Sequence, residues 1–158
     1  ELWFGFMGKG CWCEDRLGNK KIFNSTNRND INELILVASK NHRGKRLQDL
    51  INKLTFSQIK TVGSVGCKVA TILRGEADVY ISMSGETSPK DWDIAAPAVL
   101  LEAAGGSFTH ADGRLIEYSL SNSYEQKGCL IATNGEIHDH ICCKTTEAIS
   151  LIDSKYIV

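Results

Sequence analysis

Residues 94–104 carry a single charged side chain, Glu102, among residues that are otherwise apolar or small. A helix built from them has no polar stripe, so it must be buried on most of its sides. Directly before it stand Lys90, Asp91, Trp92 and Asp93, which puts a carboxylate pair at the mouth of an apolar helix. With Asp93 as the N-cap, Pro97 falls in or near the first turn, where its missing backbone donor costs little. The carboxylate then points out of the helix mouth beside a bulky indole, where an ionised group is costly unless a positive charge meets it. The helix N-terminus supplies part of that charge, and a divalent metal would supply more. The alternative is that one Asp is simply the helix N-cap, a place Asp often takes.

At 158 residues the chain has the length of one domain and can bury a sizeable core. Its 18 basic and 19 acidic residues leave a formal charge of −1, which gives no bulk attraction to a nucleic acid polymer or a membrane surface. No apolar run approaches the roughly 20 residues of a bilayer span. A start on Glu1, with no basic stretch and apolar leader behind it, reads as a fragment boundary without a signal peptide. Six cysteines are present, Cys67 and Cys129 among them inside apolar runs. They read as buried free thiols of a reducing compartment, and so as those of a cytoplasmic protein.

Residues 2–7 and 11–13 flank Gly8-Lys9-Gly10 and predict a β-hairpin, with a further short strand at 21–23. Such a hairpin is marginal alone and must join a larger sheet. Residues 34–38 form a short continuous apolar run, the mark of a strand covered on both faces. Leu47, Leu50, Ile51 and Leu54 recur at i, i+3, i+4 and i+7, which predicts a helix over 44–54. Strands follow at 59–62 and 77–83, with a helix from Gly63-Ser64 to about Leu73 between them. Residues 107–109 and 115–118 flank an Ala111–Arg114 turn and predict a second hairpin. A strand at 130–133 and a helix from Glu136 to about Ile152 close the chain. The alternation predicts an α/β fold with a layered mixed sheet and helices on both faces.

Two further segments bear on chemistry. Ser64 is a natural N-cap, and the backbone N–H groups behind it make an anion site with Lys68 close by; an ordinary capped helix with a solvated lysine fits the same residues. Ser39, Lys40, Asn41, His42 and Arg43 follow the buried strand, at a carboxyl end where α/β sheets gather ligands. Their donors suit phosphate, and a solvated basic loop has the same composition. His138, His140, Cys142 and Cys143 lack the spacing of a zinc site.

Together these segments resemble the inositol monophosphatase superfamily of metal-dependent phosphatases, in particular its 3′(2′),5′-bisphosphate nucleotidase branch. The resemblance rests on Trp92-Asp93, Ala95-Ala96, Leu100, Glu102-Ala103 and Gly105-Gly106, preceded by Gly63-Ser64 through Lys68 and by Gly75-Glu76-Ala77-Asp78-Val79-Tyr80. Ser39-Lys40-Asn41-His42 is similar to the branch's Ser/Thr-Arg-Ser-His segment and departs from it at Lys40 and Asn41. The resemblance spans nearly the whole chain but only the carboxyl-terminal half of the superfamily's fold. The signature Asp-Pro-x-Asp-Gly-Thr is absent, and Pro89 and Pro97, the two prolines, do not fit it. The resemblance implies strands over 1–30 that belong to the preceding sheet of the full fold, and a carboxyl-terminal α/β domain over 31–158. It implies a Mg-dependent phosphomonoesterase of sulfur metabolism that removes the 3′-phosphate of adenosine 3′,5′-bisphosphate and needs the amino-terminal half for turnover. Asp93 would be the catalytic metal ligand, and Ser39, His42, Gly63, Ser64 and Lys68 would bind substrate, with Asp91 a capping neighbour and Lys90 close to phosphate. An inositol or fructose 1,6-bisphosphate phosphatase, and a non-catalytic phosphate-binding module, are the alternatives. Apolar Trp3, Phe4 and Phe6 also raise the expectation of a homo-oligomer.

Overall fold

The computed structural model describes residues 1–23, 28–40, 44–85, 87–118 and 123–156. Strands β1 (Leu2–Phe6), β2 (Gly10–Glu14) and β3 (Lys20–Phe23) form an antiparallel sheet in the order β1-β2-β3. A 3₁₀ turn (Ile31–Glu33) leads into β4 (Ile35–Ser39), α1 (Lys45–Leu54), β5 (Gln58–Val62), α2 (Val65–Leu73) and β6 (Val79–Met83). Helix α3 (Asp91–Ala103), strands β7 (Ser107–His110) and β8 (Cys129–Thr133) and helix α4 (His138–Ile152) complete the chain. The second sheet runs β5-β4-β6-β8-β7: β4 pairs in parallel with β5 and β6, whereas β8 is antiparallel to both β6 and β7.

Two apolar clusters sandwich this sheet. Leu36, Ile81 and Ile131 face Leu50 and Ile51 of α1 and Ile141 and Ile149 of α4. Val37, Tyr80, Leu130 and Ala132 face Val69 and Ile72 of α2 and Ile94, Ala98 and Leu101 of α3. The mixed sheet with helices on both faces is therefore as the alternating pattern predicts. The small sheet covers the outside of α3, with Trp3 and Cys11 packed into the second cluster. A Cβ at Gly5 would stand 3.0 Å from Leu100 Cδ2 and 3.2 Å from its Cα, so β1 lies that close to α3 only because position 5 lacks a side chain.

Four expectations change. Residues 115–118 form no strand; on the outer edge of β7 Leu115 makes one isolated bridge to Thr109, while the inner edge of β7 pairs with β8. Cys67 is exposed, on the outer side of the first turn of α2, while Cys11, Cys13, Cys129 and Cys142 are buried. Burial, with Cys13 beside it, pushes the Cys11 thiol up to about 11. Helix α3 buries Ile94, Pro97, Ala98 and Leu101 on one side only; Trp92, Asp93, Ala96 and Val99 are exposed. Trp3, expected at the surface, is half-buried, while Phe6 lies 56% exposed.

Asp78, fully buried, ties three strands together. Its Oδ2 accepts from Ile35 N–H at 2.9 Å, its N–H donates to Ile35 O at 2.8 Å, and its C=O accepts from Asn134 N–H at 3.1 Å. Arg28 Nε donates to both carboxylate oxygens, at 2.9 and 3.0 Å, and Arg28 Nη2 donates to Gly75 O. Replacing Arg28 by Leu strips the cation from this buried carboxylate. We expect a loss of about 2–3 kcal/mol in urea unfolding, less than for a fully buried pair because Arg28 is one-third exposed.

His138 links α4 to both β7 and β8. Thr109 Oγ1 donates to His110 O at 2.6 Å, so it must accept from His138 Nε2–H at 2.8 Å. Nδ1 is then the acceptor for Thr133 Oγ1–H at 3.0 Å, and Thr133 Oγ1 in turn accepts from Gly135 N–H. This accounting places the single proton on Nε2. Burial lowers the basicity of His138 and of His110. A histidine depressed in the folded state stabilises the fold fully above its unfolded pKa of about 6.5, and that stability is lost as pH falls through the folded value. We expect a flat urea midpoint above about pH 7 and a decline below about pH 6.5, of at most about 1.4 kcal/mol per pH unit for each histidine. His138→Gln should flatten part of that decline.

Candidate active site

Strands β4 and β5 end side by side: Ser39 pairs with Val62, and Lys40 N–H donates to Val62 O at 3.2 Å. The chain then turns at Gly63-Ser64 into α2. Ser64 is the N-cap, its Oγ accepting from Cys67 N–H at 3.2 Å, as its sequence position predicts. Val65 and Gly66 N–H, at the first two helical positions, take no hydrogen bond among the described residues. They are the orphan donors that make a helix start receptive to anions.

The second helix N-terminus is that of α3, which packs on α2 with Gly66 facing Pro97. Its N-cap is Lys90, not Asp93. Asp93 occupies the third helical position, and its Oδ2 accepts from Lys90 N–H at 2.9 Å. Its Oδ1 has no bond among the described residues, and the side chain is exposed. Trp92, 66% exposed, does not bury it either. The desolvation cost that the sequence suggests for Asp93 is therefore absent; an apolar sequence neighbourhood is not an apolar spatial one. Asp91 faces elsewhere, its Oδ1 accepting from Gln126 Nε2 at 2.7 Å.

Lys68 differs most from its expected place. It is 4% exposed, with Nζ donating to Gly63 O and lying 5.0 Å from the centroid of the Tyr80 ring. Burial lowers its basicity, while Cys67 and Asp93 act in the opposite direction. The same burial raises Tyr80. Lys68 thus lies beneath the Gly63-Ser64 turn as a buried cation between a carbonyl, an aromatic face and the field of Asp93, rather than at the surface. His42 lies outside the described residues.

The structure therefore brings Ser39, Gly63, Ser64, Lys68 and Asp93 to one end of the sheet, where two helix N-termini meet. Lys90, expected near phosphate, is an ion-pair partner of Glu125 and holds that carboxyl below the usual range. Sequence reasoning missed Gln126, 7% exposed, which secures Asp91 from 35 residues away. A groove of about 700 Å³ opens beside the site and shares Gly66 with it, lined also by Trp3, Val62, Ala96, Pro97 and Leu100. It is mainly apolar, with Glu1, Lys60, Arg74 and Glu76 also in its lining, and excludes Asp93 and Lys68. Among the described residues no group of three or more His, Cys, Asp or Glu is placed to hold a metal ion, and no helix is long and apolar enough to cross a membrane.

The model of the inositol monophosphatase family matches residues 1–150. Human 3′(2′),5′-bisphosphate nucleotidase 1 is 26% identical over 115 residues, covering 73% of this chain and 36% of the relative. Inositol monophosphatase 3 of Xenopus laevis is 32% identical over 124 residues, covering 73% and 33%. Among solved structures, an inositol monophosphatase from Anabaena (Nostoc) superposes with a TM-score of 0.69 at 21% identity, over 92% of this chain and 54% of that one. Mycobacterium tuberculosis SuhB superposes with a TM-score of 0.67 at 17% identity, over 89% and 51%. The chain spans about a third of the length of such curated relatives and about half that of the solved chains.

Burial makes a chemical prediction about Lys68. In timed acetylation mapped by peptide mass spectrometry, Lys68 should react far more slowly than the exposed Lys127. Equal rates would mean that its ammonium is at the surface after all.

Proposed function

The chain belongs to the inositol monophosphatase family, and from that premise we propose that it is the carboxyl-terminal part of a Mg-dependent phosphomonoesterase acting on adenosine 3′,5′-bisphosphate. The observation that carries this reading is the exposed Asp93, whose Oδ1 takes no bond among the described residues, beside the N-terminus of α2. Mg²⁺ is usually held by one or two carboxylates, waters and substrate phosphate. The donor set fits a contribution of one ligand, Asp93, with the rest supplied from outside the described residues. When bound, the ion activates water and neutralises charge on the leaving oxygen.

The chain's own residues do the remaining work. Val65 and Gly66 N–H, with the dipole of α2 behind them, receive a second phosphate, and Ser64 holds that helix start in shape. Gly63 keeps its carbonyl turned toward Lys68, so Lys68 acts on the anion from beneath by its charge. Ser39, paired with Val62 at the carboxyl end of β4, is assigned to the nucleotide, as is His42, which lies outside the described residues. In this reading β1–β3 extend a sheet whose remainder lies outside the chain. Leu2, Phe6 and Ile22 on its outer face, with Phe4, Trp12 and Phe6 stacked, supply an apolar surface for that cover or for a second copy.

The test is phosphate release from adenosine 3′,5′-bisphosphate, inositol 1-phosphate and fructose 1,6-bisphosphate by this sequence within its completed polypeptide, in Mg²⁺. We expect the nucleotide to be preferred. Asp93→Asn keeps the acceptor for Lys90 N–H but removes the charge. It should cut turnover by more than about 100-fold, beyond the 10–100-fold typical of outer-shell changes. Unchanged turnover overturns the metal role, a sugar-phosphate preference favours the alternative substrate class, and nucleotide binding without release favours a binding module.

A further inference from the structure

Four direct bonds join the three residues before Trp92 and Asp93 to a segment 35 residues away in sequence. Lys90 and Glu125 form an antiparallel bridge. Asp91 N–H donates to Tyr124 O at 2.9 Å and Gln126 N–H donates to Pro89 O at 2.9 Å. Lys90 Nζ bonds Glu125 Oε1, and Gln126 Nε2 donates to Asp91 Oδ1 at 2.7 Å and to Glu117 O at 2.8 Å. On the outer side the Trp92 and Tyr124 rings lie 5.5 Å apart. Segment 124–126 belongs to no helix and no longer strand; its bonds converge on the start of α3.

That start decides where Asp93 points. The Asp93 carboxylate is held at Oδ2 by Lys90 N–H, so its direction follows the backbone of residue 90, which the bridge to Glu125 fixes. Gln126 also holds Asp91, the other carboxylate of the first turn, on the opposite side of the helix.

Resting on the reading of Asp93 as the metal-facing carboxylate, we propose that segment 124–126 is a clasp that aims Asp93, with buried Gln126 as its positioning residue. Gln126 touches neither metal nor substrate. It holds Asp91 and residue 117 together, so the first turn of α3 cannot rotate and Asp93 Oδ1 stays presented to the α2 N-terminus. The metal this serves is an oxygen-seeking divalent cation, for which Mn²⁺ is a suitable probe.

The experiment uses the ¹⁵N-labelled chain. Mn²⁺ should broaden the amides of residues 90–94 selectively. Gln126→Met keeps length and packing but removes both side-chain donations; it should need about 10-fold more Mn²⁺ for the same broadening, as for an outer-shell partner. It should also speed hydrogen exchange at Lys90 N–H while leaving Ile131 N–H in β8 unchanged. If wild type and Gln126→Met broaden alike and exchange alike, the clasp is overturned. If the wild type shows no broadening at 90–94, the metal reading of Asp93 fails by itself, and the Lys90 exchange rates alone decide the clasp. Should Gln126→Met fail to fold, Glu125→Gln, on an exposed side chain, should move both readouts in the same direction to a smaller extent; no movement there also overturns the proposal.

Discussion

A buried carboxylate with every bond made sets the geometry of the larger sheet. Asp78 is simultaneously an acceptor for the β4 backbone, a backbone partner of β4 and of the end of β8, and the counter-ion of Arg28. A charge this deep is tolerated only when it is paired and hydrogen-bonded, and here the bonds reach β4 twice, the end of β8 and Arg28. The β4–β6 register is pinned beside it, with Leu36 opposite Val79. Because strands rise by about 3.3 Å per residue, pinning one end of β4 places Ser39 at the other end, next to Val62. A one-residue slip would reverse the faces of Leu36 and Val37, which serve opposite apolar clusters.

The opposite end of the sheet is electrostatically open where the Asp78 end is closed. Two helix N-termini converge there, each equivalent to roughly half a positive charge, and Lys68 adds a buried cation. Its partners are a neutral carbonyl and an aromatic face, with Asp93 acting at longer range. A cation–π contact and one carbonyl stabilise an ammonium only partly. The site therefore carries a positive excess that favours an anion, and Asp93 gives it one exposed negative edge. It is on that combination that the proposed pairing of a phosphate ester with a divalent cation rests.

Local patterns revealed most of the fold. The 34–38 run and the Leu47, Leu50, Ile51 and Leu54 stripe became β4 and α1 because both are decided by burial, which periodicity records. Residues 115–118 look equally strand-like, yet on the free edge of β7 the pairing stops at the Thr109–Leu115 bridge beside the His110–Arg114 turn; how far a pairing runs beyond its turn is invisible locally. Ser64 was legible because capping is a local bond. Lys68 was misplaced because a lysine in the first turn is ordinarily solvated, and only the packing of Tyr80 beneath α2 draws it inward. Gln126 had no signal at all, since its partners are 9 and 35 residues distant.

The separate roles of Asp91 and Asp93 follow from helix geometry. Residues two apart on an α-helix point about 200° from one another, so a pair spaced in this way cannot serve one side. Packing then decides which is which. Ile94, Pro97 and Ala98 turn inward, which directs Asp91 to Gln126 and leaves Asp93 on the side of α2 and Lys68. A shift of α3 by one residue would set Trp92 in the place of Asp93 in one direction, burying Asp93 in the place of Ile94, and would set Ile94 there in the other. The apolar face of α3, through the side chains that it buries, thereby decides which carboxylate of this pair stands exposed.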